Sequence, residues 1–219
     1  FVEDWVDTVA LHDSIAMISP ALASFMSGGG DSVNPEMLIN IDAGSIVLFQ
    51  ILISFLVLRM RHVSAMIAGF IIASIGIGIT FYTGNGVYTI IGIMIFAIGE
   101  MMTNPTFSSF IALISPKGKE ALYMGTYFVP VFVGNFLTTF ISGNLYQAWS
   151  DKLTLLQTEM AGRNIDMPQV TPEFSKNEYF SLAAERLNMT EVEMTQMLWD
   201  SYQPNQIWYV IVGIGVITI

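Results

Sequence analysis

The chain has 219 residues, of which 53% are hydrophobic and only 12% are charged. A soluble domain carries about 25% charged residues, and here the charges are also segregated, so that long stretches have none. This pattern predicts several membrane spans and excludes one oversized soluble core. Because the chain has no cysteine, disulfides and thiolate chemistry are excluded, and His12 and His62 are too far apart in sequence to predict a metal site.

Residues 1–36 are acidic and contain no lysine or arginine. We expect this segment to lie outside the membrane, with an amphipathic helix near 8–18 and a break at Gly28-Gly29-Gly30. The chain begins at Phe1 and stops inside an apolar run, which we interpret as a piece of a longer protein.

Four apolar runs follow, each long enough to cross a bilayer as a helix at about 1.5 Å per residue. They predict an all-α membrane protein whose segment 37–149 holds four transmembrane helices, at about 37–58, 63–82, 87–115 and 121–147. Residues 207–219 are again apolar and begin a further transmembrane helix.

The segment 150–206 is polar enough to face water and is expected to form a helical outer insertion. Two capping-box patterns, Ser175-x-x-Glu178 and Thr190-x-x-Glu193, predict helices near 176–187 and 191–202, and another is expected near 151–161. The insertion is either a structural or partner-facing decoration or a cap over a ligand.

The basic residues next to the spans predict the orientation. Arg59 and Arg61 end the first run, and Lys117 and Lys119 follow the third, so all four lie on one side if every run spans the membrane. By the positive-inside rule that side is cytoplasmic, which places residues 1–36 and 150–206 outside. We therefore expect a multi-pass protein of the cytoplasmic (inner) membrane whose first partner is the lipid bilayer.

Small residues recur every four positions in the second run, at Ala65, Gly69 and Ala73. Small side chains at this spacing let two helix backbones approach closely, although glycine and alanine are also common in spans generally. The pattern predicts a packed helix.

Two carboxylates lie inside apolar runs, Glu100 about half-way along the third and Asp42 near the start of the first. An ionisable group in a membrane span is costly and is a functional candidate by default. Glu100 is a candidate binding or proton-coupling residue, or else a hydrogen-bonded packing residue. Asp42 is a weaker candidate, because a carboxylate near a helix N-terminus is also stabilised by the helix dipole. Pro105 and Pro130 are predicted to kink their helices.

The motif Gly99-Glu100-Met101-Met102-Thr103-Asn104-Pro105, followed by Ser115-Pro116-Lys117-Gly118-Lys119 and Met124-Gly125-Thr126-Tyr127-Phe128, resembles helices ten and eleven of proton-dependent oligopeptide transporters. These belong to the major facilitator superfamily. The resemblance implies a major-facilitator helical bundle, of which this chain would hold helices 8 to 12 in part and the N-terminal half would be missing.

The same resemblance implies that Glu100 faces a central cavity and binds a peptide's amino terminus. Asn104 stands where the family usually has serine, and the long insertion also departs from short-looped members. The expected function is therefore secondary transport, driven by a proton gradient without a cofactor, of di- or tripeptides or similar small solutes.

Other functions stay open at this stage. The chain could transport another small solute within the same superfamily, or it could be a membrane scaffold or receptor. An intramembrane aspartyl protease using Asp42 and Glu100 is less favoured, because no Gly-x-Gly-Asp motif is present and no catalytic residue is otherwise indicated. No nucleic-acid partner and no metal site are expected.

Overall fold

The computed structural model of the protein describes residues 1–217, so the last two positions of the predicted final span, 218 and 219, lie outside the described residues. Helices make up most of this part of the chain and no strand occurs in it, which confirms the all-α prediction. The helices in chain order are α1 Val2–Trp5, α2 Thr8–Ile18, α3 Pro20–Ser27, α4 Pro35–Val57, α5 His62–Tyr82, α6 Gly86–Ile114, α7 Glu120–Thr126, α8 Phe128–Phe140, α9 Tyr146–Trp149, α10 Lys152–Gly162, α11 Lys176–Leu187, α12 Glu191–Tyr202 and α13 Gln206–Ile217.

Within residues 1–217, four helical stretches are long and apolar enough to cross a membrane, which supports an integral membrane protein. Three are the single helices α4, α5 and α6, which span 23, 21 and 29 residues. The fourth stretch, Glu120–Gly162, is divided by turns and includes α7 to α10.

The ends of the long helices follow from local sequence. Asn34 caps α4 by accepting a hydrogen bond of 2.9 Å from the Glu36 backbone N–H, and Pro35 stands at the first helical position, where its missing N–H has no cost. Asn85 caps α6 in the same way, accepting 2.9 Å from the Val87 N–H. The three-residue turn between α5 and α6, Thr83 to Asn85, therefore ends in a helix N-cap.

The fourth stretch is broken at Tyr127, between α7 and α8. Pro130 lies in the first turn of α8, and its ring removes the hydrogen bond that the Thr126 carbonyl would otherwise accept. A π-helical turn, Ile141–Leu145, then separates α8 from α9. The stretch that was expected as one helix over 121–147 is therefore three helices joined by irregular turns.

The chain divides into two compact units. The bundle unit contains Val6–Leu137 together with Val2 and the chain from Trp208 onward, and the insertion unit contains Thr138–Ile207 together with Phe1 and Glu3–Trp5. The expected outer segment 1–36 is thus split, because Glu3–Trp5 belong to the insertion unit and Val6 onward belongs to the bundle unit.

In the bundle unit, α6 is the central helix, packing against both α4 and α5. It is also the most buried of the four candidate spans. Part of α13 packs on α5, where the Trp208 ring stacks on Phe81 with a centroid distance of 3.5 Å and an interplanar angle of 7°. The exposed side chains of α4 are mostly large and apolar, as expected for a surface that faces lipid.

The insertion unit has its own small apolar core, and its predicted helices are present. Both capping boxes form, at Ser175 with Glu178 and at Thr190 with Glu193, and they start α11 and α12 at the expected residues. Among the side chains that the structure describes, the core of this unit buries Trp5, Leu155, Leu156, Met160, Tyr179, Ala183, Ala184, Met194 and Leu198.

Trp5 ties the start of the chain into this core. Its indole Nε1 donates a hydrogen bond of 2.8 Å to the Ser150 carbonyl, across 145 positions of sequence. Next to it, Lys176 Nζ lies 2.9 Å from Asp4 Oδ1. These two long-range contacts explain why Glu3–Trp5 group with the insertion and not with the residues that follow them.

Candidate functional site

Glu100 and Asn104 lie one turn apart on α6 and are joined directly. The Asn104 side-chain Nδ2 donates a hydrogen bond of 2.9 Å to Glu100 Oε1. Glu100 is half-buried and Asn104 is exposed, so the pair lies at an accessible edge of the helix. Because residues at i and i+4 share a face, the amide orients the carboxylate and uses only one of its two oxygens.

Asp42 on α4 is the second carboxylate of this region. It lies close enough to Glu100 for their like charges to repel each other. Its Oδ1 atom is buried and has no hydrogen-bond partner, which is costly for a carboxylate oxygen. Of the three residues that sequence reasoning singled out, Glu100 and Asn104 are therefore joined directly, and Asp42 lies on the neighbouring helix α4, where its charge interacts with that of Glu100.

A cavity of about 200 Å³ lies between α4 and α6. Ser45, one turn after Asp42, is its polar lining residue and is buried. The rest of the lining is apolar: Phe49, Leu52 and Ile53 from α4 with Met94 and Ile98 from α6. Sequence reasoning missed this cavity, because the register between two helices about fifty residues apart leaves no signal in a single sequence.

The helix α6 continues through Pro105 without interruption. Three hydroxyls around the proline donate to the carbonyl four residues earlier: Thr103 to Gly99 at 2.9 Å, Thr106 to Met102 at 2.6 Å, and Ser108 to Asn104 at 3.1 Å. Such back-bonded hydroxyls satisfy carbonyls in a span and often bend helices. They were not singled out from the sequence, although Thr and Ser beside a proline are the signal that could have found them.

The helices α5 and α6 are antiparallel and touch through glycine. A Cβ built on Gly69 would lie 2.8 Å from the Gly99 carbonyl oxygen, and one built on Gly76 would lie 2.8 Å from the Gly92 carbonyl oxygen. Of the predicted packing residues, Ala65 is fully buried, Gly69 is buried, and Ala73 is half-buried at the contact with Gly99. This close approach fixes α6, and with it Glu100, against a rigid neighbour.

The four basic residues of the predicted cytoplasmic loops are all exposed. The Arg59 guanidinium lies over the Phe55 ring at 4.9 Å, and in the described part of the chain none of the four forms an ion pair. His62 at the start of α5 lies 3.4 Å from Ser109 Oγ near the end of α6, which puts the 59–61 turn and the end of α6 at the same end of the helix pair. Which side of a membrane that end faces stays a prediction.

We compared the chain with protein-family models, curated proteins and solved structures, and none of them matches it. The candidate site therefore rests on its own geometry. Within the described residues no group of three or more His, Asp or Glu side chains could hold a metal ion.

Proposed function

We propose that the protein is a secondary active transporter of the major facilitator type, coupling the import of di- or tripeptides or similar small solutes to protons. The observation that carries this proposal is the Glu100 carboxylate, to which Asn104 donates a hydrogen bond of 2.9 Å. Glu100 is the only charged residue of α6, and Asp42 of the neighbouring helix α4 interacts with it electrostatically. The motif around Glu100 and Asn104 that resembles peptide transporters supports the same function.

The chemistry of the site favours a cationic group. Two carboxylates supply several acceptor lone pairs, whereas Asn104 is the one side-chain donor that reaches either of them in the described residues. A protonated amine has three donors and no acceptor, so it complements this excess of acceptors. It would also relieve the repulsion between Asp42 and Glu100.

Proton coupling follows from the same arrangement. Import driven by a proton gradient needs the proton and the substrate to cross together. Two carboxylates supply one group for each, with Glu100 binding the substrate amine and Asp42 available to carry the proton. In such a carrier two halves rock around a site near the middle of the membrane.

The geometry is less suited to an aspartyl protease. A catalytic pair of acids shares a proton between directly facing carboxyls. Here Asp42 Oδ1 has no hydrogen-bond partner and Glu100 is engaged by Asn104.

The test is uptake of labelled dialanine by proteoliposomes that contain the full-length protein, with an imposed proton gradient. We expect concentrative uptake that a protonophore abolishes. Glu100→Gln keeps the size of the side chain but removes its charge, and it should abolish this uptake at unchanged protein level. The matched control is Glu36→Gln, an exposed glutamate in the first turn of α4, which should transport like the parent.

Peptide selectivity separates the amine-binding role from a general role in folding. N-acetyl-dialanine should compete far less than dialanine in the parent, and this difference should vanish in Glu100→Gln. Full gradient-driven uptake by Glu100→Gln would show that Glu100 only packs, and the peptide-transport proposal would then lose its main support.

A further inference from the structure

The helical hairpin formed by α2 and α3 presents an apolar tip that nothing in the described structure covers. Met17 and Ile18 are each 87% exposed and Phe25 is 67% exposed. Leu22 adds a fourth large exposed apolar side chain. We call these four residues the hairpin tip.

The turn of the hairpin has a local cause in sequence. Ser19 ends α2 and caps α3, with its Oγ accepting 3.3 Å from the Leu22 N–H, and Pro20 stands at the first position of α3. Gly28 ends α3 in a left-handed conformation with φ 64°. The tip is thus built by a defined helix–turn–helix and is not a loose loop.

The other face of the hairpin packs on α4 and α6, and this packing determines where the hairpin lies along the two spans. Leu11, Ile15 and Met26 share one apolar cluster with Leu38 and Ile41 of α4 and Ile90 of α6. Ile41 is six residues into α4, and Ile90 is four residues into α6, which correspond to about 9 Å and about 6 Å along the spans. The hairpin therefore lies beside the first turns of two spans and not above them.

Two backbone hydrogen bonds hold the hairpin beside the first turns of α4 and α6. The Asp7 N–H donates 2.8 Å to the Gly84 carbonyl in the turn between α5 and α6, and the Val33 N–H donates 3.0 Å to the Thr8 carbonyl. Leu11 lies against Gly86, where an added Cβ would come within 2.8 Å of its side chain. These contacts hold the hairpin against the N-terminal ends of α4 and α6.

The distribution of charge around the hairpin tip indicates that lipid covers it. From Ser14 to Gly30 the chain has no charged residue, whereas Asp13 and Asp31 stand at the two ends of this stretch. An apolar tip with carboxylates only at its base matches the gradient from acyl chains to headgroups. Near the starts of α4 and α6, Ile39 and Tyr88 are further large apolar side chains that are exposed.

We propose that the hairpin tip inserts into the headgroup–acyl boundary of the bilayer and anchors this end of the bundle unit to lipid. The absence of lysine and arginine from residues 1–36 means that insertion depends on apolar burial and not on attraction to anionic lipid. It should therefore occur in neutral phosphatidylcholine bilayers and should not be strengthened by anionic lipid.

The chain has no cysteine, so a single introduced cysteine carries the only thiol. We would attach a nitroxide spin label at Ile18→Cys or Phe25→Cys in the protein reconstituted in phosphatidylcholine bilayers. Collision rates with oxygen, which concentrates in lipid, and with a water-soluble nickel complex report the surroundings of each label. Ile51→Cys in the middle of α4 is the lipid reference, because Ile51 is 85% exposed.

Val192→Cys on α12 is the aqueous reference, because Val192 is an apolar residue that is 76% exposed in the insertion unit. We expect the oxygen-to-nickel ratio at both tip positions in phosphatidylcholine bilayers to be several-fold higher than at Val192, and not to be raised by anionic lipid. A ratio like that at Val192 would overturn the proposal, and so would low accessibility to both reagents, which would mean that another protein segment covers the tip. Neither outcome depends on transport activity.

Discussion

Gly69 on α5 and Gly99 on α6 are in backbone contact, so that a Cβ on Gly99 would lie 2.5 Å from the Gly69 carbonyl oxygen. The second pair, Gly76 and Gly92, repeats this contact seven residues along each helix, in the opposite direction. Two glycine pairs at this spacing make a rigid antiparallel helix pair, on which the half-buried Glu100 is placed next to Gly99.

The glycine contact predicts that Gly99→Ala destabilises the protein. The added methyl would meet backbone atoms of Gly69 and Ala73, which can move only if the helices separate, and overpacking of this kind costs about 1–3 kcal/mol. The midpoint of thermal aggregation in detergent should fall. The control is Gly78→Ala on α5, where the nearest atom would be Val212 Cγ2 at an ordinary 3.9 Å. Because alanine is the better helix former, this control should be neutral or slightly stabilising; an equal loss in both variants would contradict the packing argument.

Local sequence predicted those parts of the fold that local interactions determine. The apolar runs placed α4, α5 and α6 within two residues of their observed ends, and the capping boxes placed Ser175 and Thr190 at the starts of their helices. What it did not predict depends on register between distant segments. No local pattern shows that Gly92 faces Gly76, that Trp5 reaches Ser150, or that α2 lies against Gly86.

In the candidate site, too, the sequence predicts what is local and not what depends on packing between helices. Glu100 and Asp42 stood out because a carboxylate in an apolar run is exceptional. The electrostatic interaction between them, and the cavity lined by Ser45, depend on how α4 packs on α6, and the pattern of a single sequence does not show this packing. The spacing between Glu100 and Asn104, in contrast, predicts their hydrogen bond as soon as the segment is known to be helical.

The capping boxes predict a pH dependence in the insertion unit. Hydrogen bonds from the backbone and side chain of Ser175 lower the pKa of Glu178 below its ordinary 4.5, and Thr190 does the same for Glu193. A carboxyl whose pKa is lower in the folded than in the unfolded protein stabilises the fold. This stabilisation is complete when the pH is above the pKa in the unfolded protein, and it is lost as the pH falls through the pKa in the folded protein. The double variant Glu178→Gln/Glu193→Gln should therefore be less stable than the parent at pH 7, and the difference should close as pH falls below about 4.

Thermal melting between pH 7 and pH 3 measures this difference. The control is Glu173→Gln, an exposed loop glutamate for which the described structure shows no hydrogen bond. It should follow the parent at every pH. A gap between the double variant and the parent that stays constant down to pH 3 would show that the carboxylate charge is not what stabilises the two helix starts.

The charge pattern predicts the sidedness of the protein. Single cysteines at Ser32 and Asn177 should react with a membrane-impermeant maleimide on intact cells, because both residues are exposed in segments expected outside. A cysteine at Pro116, exposed in the basic loop after α6, should react only after the membrane is opened. Reaction at Pro116 in intact cells, with Ser32 and Asn177 protected, would reverse the orientation.

The Glu100–Asn104 hydrogen bond predicts a positioning role for Asn104. Asn104→Ala removes the donor that orients the Glu100 carboxylate, at a cost of about 1 kcal/mol, which corresponds to about a fivefold higher KM for a peptide with a free amino terminus. Asn104→Ser restores a hydroxyl donor at the residue type usual in peptide transporters and should recover most of the affinity. The matched control is Ser108→Ala one turn further along α6, because the Ser108 hydroxyl donates to the Asn104 carbonyl and does not reach Glu100.

Uptake kinetics with dialanine and N-acetyl-dialanine separate a positioning role from a structural one. A positioning residue changes the KM for the peptide with a free amine and leaves competition by the acetylated peptide unchanged. If Asn104→Ala lowers transport of both peptides equally, or if Asn104→Ser fails to rescue it, the amide supports the helix and not the carboxylate.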